Sequence, residues 1–140
     1  IGIRTGVYGI RDGAIYTFDP VASQLSTLVT EEEVGADIAG AALTDSHLVF
    51  ITADSGWNYR VMCMDTNTGT ISPGFATTSF LSDIAVDDLG RAWVAARNGW
   101  ADGDPQNGGL WIVDPTSCEP IVGESDPIRM TLNPYNIAFL

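Results

Sequence analysis

The chain has no lysine, a single histidine (His47) and two cysteines, and its six cations, all arginine, face 18 acidic residues for a net charge of −12. Neutralising a phosphate backbone needs a basic face. Six scattered arginines do not make one, so no nucleic-acid partner is expected. No apolar run approaches the length of a bilayer-spanning helix, and no membrane partner is expected either. Two cysteines close at most one disulfide, which rules out a disulfide-dense mini-protein. Cys63 lies in the apolar run Val61-Met62-Cys63-Met64 and reads as a buried small hydrophobe; Cys118 follows Asp114-Pro115-Thr116-Ser117 and reads as a surface thiol. Neither has a cysteine or histidine at zinc-ligand spacing. Any histidine-based triad or general base would have to be built from His47 alone, and His47 reads as a surface turn residue. Phosphate-loop, nucleophile-elbow and dinucleotide motifs are missing. What is present, 45% hydrophobic and 17% charged over 140 residues, is enough to bury a core. The lysine-free, Asp-rich composition fits an extracellular or periplasmic protein.

Against these absences stands a repeat. Asp37-Ile38-Ala39 recurs 46 residues later as Asp83-Ile84-Ala85, with an echo 53 residues further at Asn136-Ile137-Ala138. A second motif keeps nearly the same beat: Ile15-Tyr16-Thr17-Phe18-Asp19, Val61-Met62-Cys63-Met64-Asp65 and Leu110-Trp111-Ile112-Val113-Asp114. Turn-forming residues follow each aspartate, and an Asp side chain caps such turns through bonds to nearby backbone N–H groups.

Within each period the segments are short, β-branched or aromatic, and bounded by turn residues, with no sustained helical spacing. The second unit divides into Ile38–Leu43, His47–Ala53, Tyr59–Met64 and Thr70–Thr77. The third divides into Ile84–Val86, Ala92–Arg97, Leu110–Val113 and a poor fourth strand at Pro120–Gly123. Four short strands per period of this length predict an all-β chain built as a β-propeller of four-stranded antiparallel blades. Blades stack face to face, which explains a strand such as Val61–Met64 that is apolar on both sides.

These residues also carry a resemblance. Val86-Asp87-Asp88-Leu89-Gly90-Arg91-Ala92-Trp93-Val94-Ala95 resembles the strand–turn–strand hairpin of NHL-type and senescence-marker/gluconolactonase-type propellers. The run from Val61 to Ile71 is similar to the strand–Asp–turn–Gly element of quinoprotein-like and surface-layer (YVTN-type) repeats. The tryptophan–aspartate dipeptide that ends strands in the WD-repeat family is replaced here by Met64-Asp65 and Val113-Asp114. The resemblance implies a propeller superfamily without selecting a member.

Residues 1–30 read as strands two to four of a first blade, 37–78 as the second blade, 83–123 as the third, and 136–140 as a strand that closes another blade. That makes about three blades in a single 1–140 segment. Propellers close with about four to eight, so the expectation is half of a six-bladed ring, closed by dimerisation or by a complementary propeller fragment.

Two sets of residues are candidates for chemistry. Asp37, Asp83 and Asn136 recur at the start of strand one, which lines the channel of a propeller. Such oxygen donors suit a cation like Ca²⁺, and the resemblance implies an axial metal held by Asp, Asn and Glu; each Asp equally suits capping of its own strand. The loops between strands two and three repeat a glycine and an aromatic: Gly6-Val7-Tyr8-Gly9, Ser55-Gly56-Trp57-Asn58 and Asn98-Gly99-Trp100-Ala101. Tyr8, Trp57 with Asn58, and Trp100 would share one face, joined by Asp102, Asp104 and Asn107 of the longest loop. Rings on a polar loop face stack on sugars or peptides, and they also plug gaps between blades. Three functions follow: a module binding a glycan, peptide or protein; a metal-dependent lactonase-like hydrolase; or a structural assembly piece. Binding needs only shape, rings and loops, so it is the expected function, and catalysis is not.

Overall fold

A computed structural model describes residues 2–3, 11–97, 108–130 and 134–139. The strands fall into three antiparallel sheets, each wound in chain order. The first comprises β1 (Gly2–Ile3), β2 (Ala14–Asp19) and β3 (Gln24–Thr30). A single helical turn, α1 (Glu31–Val34), leads to the second: β4 (Asp37–Leu43), β5 (His47–Ala53), β6 (Tyr59–Asp65), β7 (Ile71–Ser72) and β8 (Ala76–Thr77). The third comprises β9 (Phe80–Val86), β10 (Ala92–Arg97), β11 (Gly109–Asp114), β12 (Glu119–Val122) and β13 (Ile128–Arg129). The chain is all-β, as the segment pattern predicts, and among the described residues the sheets form no closed ring.

The outer strand is broken in both larger sheets. β7 and β8 each pair with β6, and β12 and β13 each pair with β11. Gly74 sits at the first break with φ of +44°, where an added Cβ would lie 2.8 Å from the Cys118 Sγ. Only glycine lets the strand pass over that sulfur.

The three sheets pack through apolar faces, and period-two alternation sorts the side chains of the middle one. Leu48, Phe50, Met62 and Met64 face the first sheet and meet Ile15 and Val29. Val49, Ile51, Val61 and Cys63 face the third and meet Leu81, Ile84, Val94, Trp111 and Val113. The doubly apolar run Val61–Met64 is thus a strand with two buried faces. Burying a ring such as Phe50 contributes roughly 1.5–3 kcal/mol.

The aspartates that end β2, β6 and β11 cap the turns that follow, as their spacing predicts. The Asp19 Oδ1 accepts from the N–H groups of Val21 and Ala22 at 2.8 and 3.1 Å. The Asp65 Oδ1 accepts from Asn67 and Thr68 at 2.8 and 3.2 Å, and the Asp114 Oδ1 from Thr116 at 2.9 Å. The Asn67 N–H is the main reason the Asp65 carboxyl sits below its ordinary range.

Several expectations need correction. Cys63 and Cys118 are joined in a disulfide rather than being a core thiol and a surface thiol, and both are buried. Stacking of the third sheet on the second carries the β11–β12 turn over β6. Strand β9 begins at Phe80, four residues ahead of the expected Ile84, so Asp83 lies inside the strand, paired with Ala95. Residues 136–139 form no strand. They continue a segment laid across the third sheet: the Ser82 hydroxyl donates to the Pro134 carbonyl at 3.1 Å, and the Phe139 ring stands edge-on to Trp93 at 5.7 Å.

Candidate functional site

In an antiparallel meander, alternate connections emerge at opposite ends of the sheets. One end carries the β5–β6 loop, the first residues of β9 and the last of β10; the other carries the β4–β5 and β9–β10 turns. Of the expected ligand residues, Trp57 and Asn58 belong to the first end.

There the β5–β6 loop is organised by Asp54. One carboxylate oxygen, Oδ1, accepts from the backbone N–H groups of Gly56 and Asn58 at 2.8 and 2.9 Å, and the Asn58 amide donates to Oδ2 at 2.9 Å. The Asn58 side chain first, then its backbone N–H, holds the Asp54 carboxyl below its ordinary range. Backbone bonds from Asp54 N–H to the Asn58 carbonyl and from Trp57 N–H to the Asp54 carbonyl, both 3.0 Å, close the loop. The result places Trp57 at φ of +62° with 54% of its surface exposed. A bulky residue in the left-handed region is held against its own preference. Trp57 therefore does not fold wholly under its loop, and Asn58 acts as the clamp rather than as a free polar arm.

Beside the loop opens a cleft of about 260 Å³ whose lining is part polar, including Asp54, Asn58 and Arg60, and part apolar, including Val34, Met62 and Pro73. The Arg60 guanidinium donates to the Pro73 carbonyl at 3.1 Å. From Tyr59 a row of rings crosses to the third sheet. Tyr59 and Phe80 meet edge-on at 5.1 Å, and Arg97 lies 5.5 Å from the Phe80 ring centre and 3.7 Å from that of Tyr135. Asp54, Arg97 and Tyr135 were not among the expected site residues. The spacing of Asp54 and Asn58 around a glycine is a turn signal that points to the first. Nothing local points to the other two, because Phe80 and Tyr135 are brought to Arg97 only by the fold.

No family model, characterised protein or solved structure matches the chain.

Tyr8, Trp100, Asp102, Asp104 and Asn107 lie outside the described residues. The three proposed cation ligands are placed differently from one another. Asp37 is buried at the start of β4. The Asp83 carboxylate accepts from the Ile137 N–H at 2.7 Å, a backbone-capping role, and Asn136 is exposed. Among the described residues, no three His, Cys, Asp or Glu side chains gather as an ion would require.

The acidic run before β4 is structural. Glu31 is 2% exposed and bridges two sheets, accepting from the N–H groups of Gly13 and Ile38 at 2.9 and 2.8 Å. Thr30 and Glu33 form a reciprocal cap on α1, and the Thr30 backbone N–H is the chief reason the Glu33 carboxyl is lowered.

The opposite end holds a groove of about 790 Å³ between the β4–β5 and β9–β10 turns, lined by residues that include His47, Asp88 and Leu89. The His47 Nδ1 meets the adjacent Ser46 hydroxyl at 2.9 Å, which is a turn contact and not a triad. The β9–β10 hairpin is held by Asp87, 8% exposed. Its carboxylate takes the Arg91 side chain at 2.8 and 2.7 Å, the Trp93 indole N–H at 2.8 Å and two backbone N–H groups. Burial pushes this carboxyl up, but the Trp93 and Arg91 donors together outweigh it and lower it from 3.8 to about 2.

Proposed function

We propose that the chain is a ligand-binding module built from β-propeller blades, which engages a glycan, peptide or protein through the face that carries Trp57 and Asn58. The observation that carries this reading is Trp57 itself. It is half exposed on a loop that borders a cleft of mixed polar and apolar lining, and Asp54 maintains it in a backbone conformation that a tryptophan does not favour. Strain of that kind costs about 1–3 kcal/mol and clusters at binding sites. In the sequence repeat, Tyr8 and Trp100 stand at the positions that match Trp57, and Asp102, Asp104 and Asn107 follow Trp100.

The blade reading is supported by three successive antiparallel meanders that stack face to face, at the period of the two aspartate motifs. Closing a ring takes further blades, which a second copy or a complementary propeller segment would supply. Exposed Phe18 and Leu25 on the first sheet are suited to such a contact. Sedimentation at micromolar concentration tests closure by a second copy, for which twice the chain mass is expected; a folded species of single-chain mass overturns it. The buried disulfide supports an oxidising location, extracellular or periplasmic.

The binding reading is tested by screening the protein over immobilised oligosaccharides and peptides, with tryptophan fluorescence as a second readout. Retention that Trp57→Ala abolishes at an unchanged melting temperature is the expected result. Equal retention by both proteins overturns it.

A further inference from the structure

Arg97 stands apart from the other charges on this face. The chain carries 18 acidic residues against six arginines, so an arginine has every opportunity to pair. Arg91 does so, with Asp87. Yet none of the described residues gives the Arg97 guanidinium a hydrogen bond or an ion pair, and its Nε is buried with no partner. Among the described residues, the rings it meets are Phe80 and Tyr135. Glu124, in the turn after β12, is instead occupied by the hydroxyls of Thr77 and Ser79 at 3.2 and 3.0 Å.

An unsatisfied buried polar atom in a folded protein calls for a cause. Stacking between rings suits a guanidinium, which is planar and weakly hydrated, and leaves its terminal N–H groups as in-plane donors for a carboxylate. The rings also fix the side chain beforehand, so little rotamer freedom is lost when an anion arrives. Arg97 ends β10 at the same end of the sheets as the Trp57 loop, and Tyr135, whose ring it stacks on, is 60% exposed. An exposed aromatic face beside a guanidinium suits an acidic sugar, because such faces pack on sugar rings while the cation meets the carboxylate.

We propose that Arg97, clamped by Phe80 and Tyr135, is an anion-recognition site that selects acidic sugars by pairing with a uronate carboxylate. This rests on the binding function proposed above for the Trp57 face, and it names the ligand's charge and class.

The test uses trigalacturonate and its fully methyl-esterified counterpart, in which each carboxylate is replaced by a neutral methyl ester, with calorimetric titration of the wild type, Arg97→Gln, Arg97→Lys and Trp57→Ala, each checked for an unchanged melting temperature. Expected are binding of the acid at least tenfold tighter than the ester, a loss of at least tenfold in Arg97→Gln, and partial recovery in Arg97→Lys. If Arg97→Gln binds the acid like wild type while Trp57→Ala does not bind, the binding face stands and the role of Arg97 falls. A melting temperature lowered in Arg97→Gln with affinity unchanged assigns the residue to the fold and overturns the proposal. Tighter binding of hexaglutamate than of trigalacturonate overturns the sugar assignment, and no binding of any probe by wild type overturns site and face together.

Discussion

Gly69 and Cys118 occupy the same backbone position, four residues after Asp65 and Asp114, with φ of +72° and +58°. In both turns the N–H of that residue donates to the carbonyl of its aspartate at 2.8 Å. Ser23 holds the matching place after Asp19 with φ of +53°. One turn geometry thus recurs three times, filled once by the residue that suits it, once by a serine and once by a cysteine tied to another sheet. A side chain at this φ costs about 1–2 kcal/mol. Gly69→Ala is therefore expected to lower unfolding free energy by about 1 kcal/mol in urea titration, although nothing lies within 4 Å of the added methyl. An unchanged midpoint would contradict the assignment of that cost to the backbone.

The strained cysteine is retained by its bond. Cys63–Cys118 spans 55 residues and ties the second sheet to the third, so it restrains the unfolded chain over a long loop. Its removal in the double variant Cys63→Ala/Cys118→Ala is expected to cost roughly 2–4 kcal/mol. Thermal melts with and without reductant check this on the wild type. A reductant that leaves the melt unmoved contradicts it.

The capped turns after Asp19, Asp65 and Asp114, the strand His47–Ala53 and the doubly buried Val61–Met64 are legible in the chain because each depends on neighbours a few residues away. The disulfide is not, because Cys63 and Cys118 meet only through the stacking of two sheets. Nor is the role of Glu31, because the starts of β4 and β2, which share it as an acceptor, are brought together only by the fold. The candidate face divides in the same way. Trp57 announces itself through the repeated glycine–aromatic loop, whereas Arg97 becomes distinctive only when Phe80 and Tyr135 close on it.

Asp87 predicts a pH dependence. Its folded carboxyl titrates at about 2, below its ordinary value of 3.8. Its contribution to stability is therefore complete above roughly pH 4 and is lost as pH falls from 3.8 toward 2. Asp87→Asn is expected to melt below wild type at pH 7, with the gap closing over that acid window. A gap that persists unchanged at pH 2 contradicts the hydrogen-bonded carboxylate as its source.

The Trp57 loop separates strain from packing. Trp57→Gly removes the ring and places at φ of +62° the residue that suits it. The expected melting temperature is equal to or above that of wild type, because no core is lost. Asp54→Ala removes the acceptor that holds the loop and is expected to weaken ligand retention with Trp57 still present.

The most direct measurement is paired: trigalacturonate affinity and melting temperature for wild type and Trp57→Gly in the same buffer. The binding account predicts that affinity is lost and stability is kept. Loss of stability together with affinity would show that the ring belongs to the core, and unchanged affinity would show that the ligand face lies elsewhere.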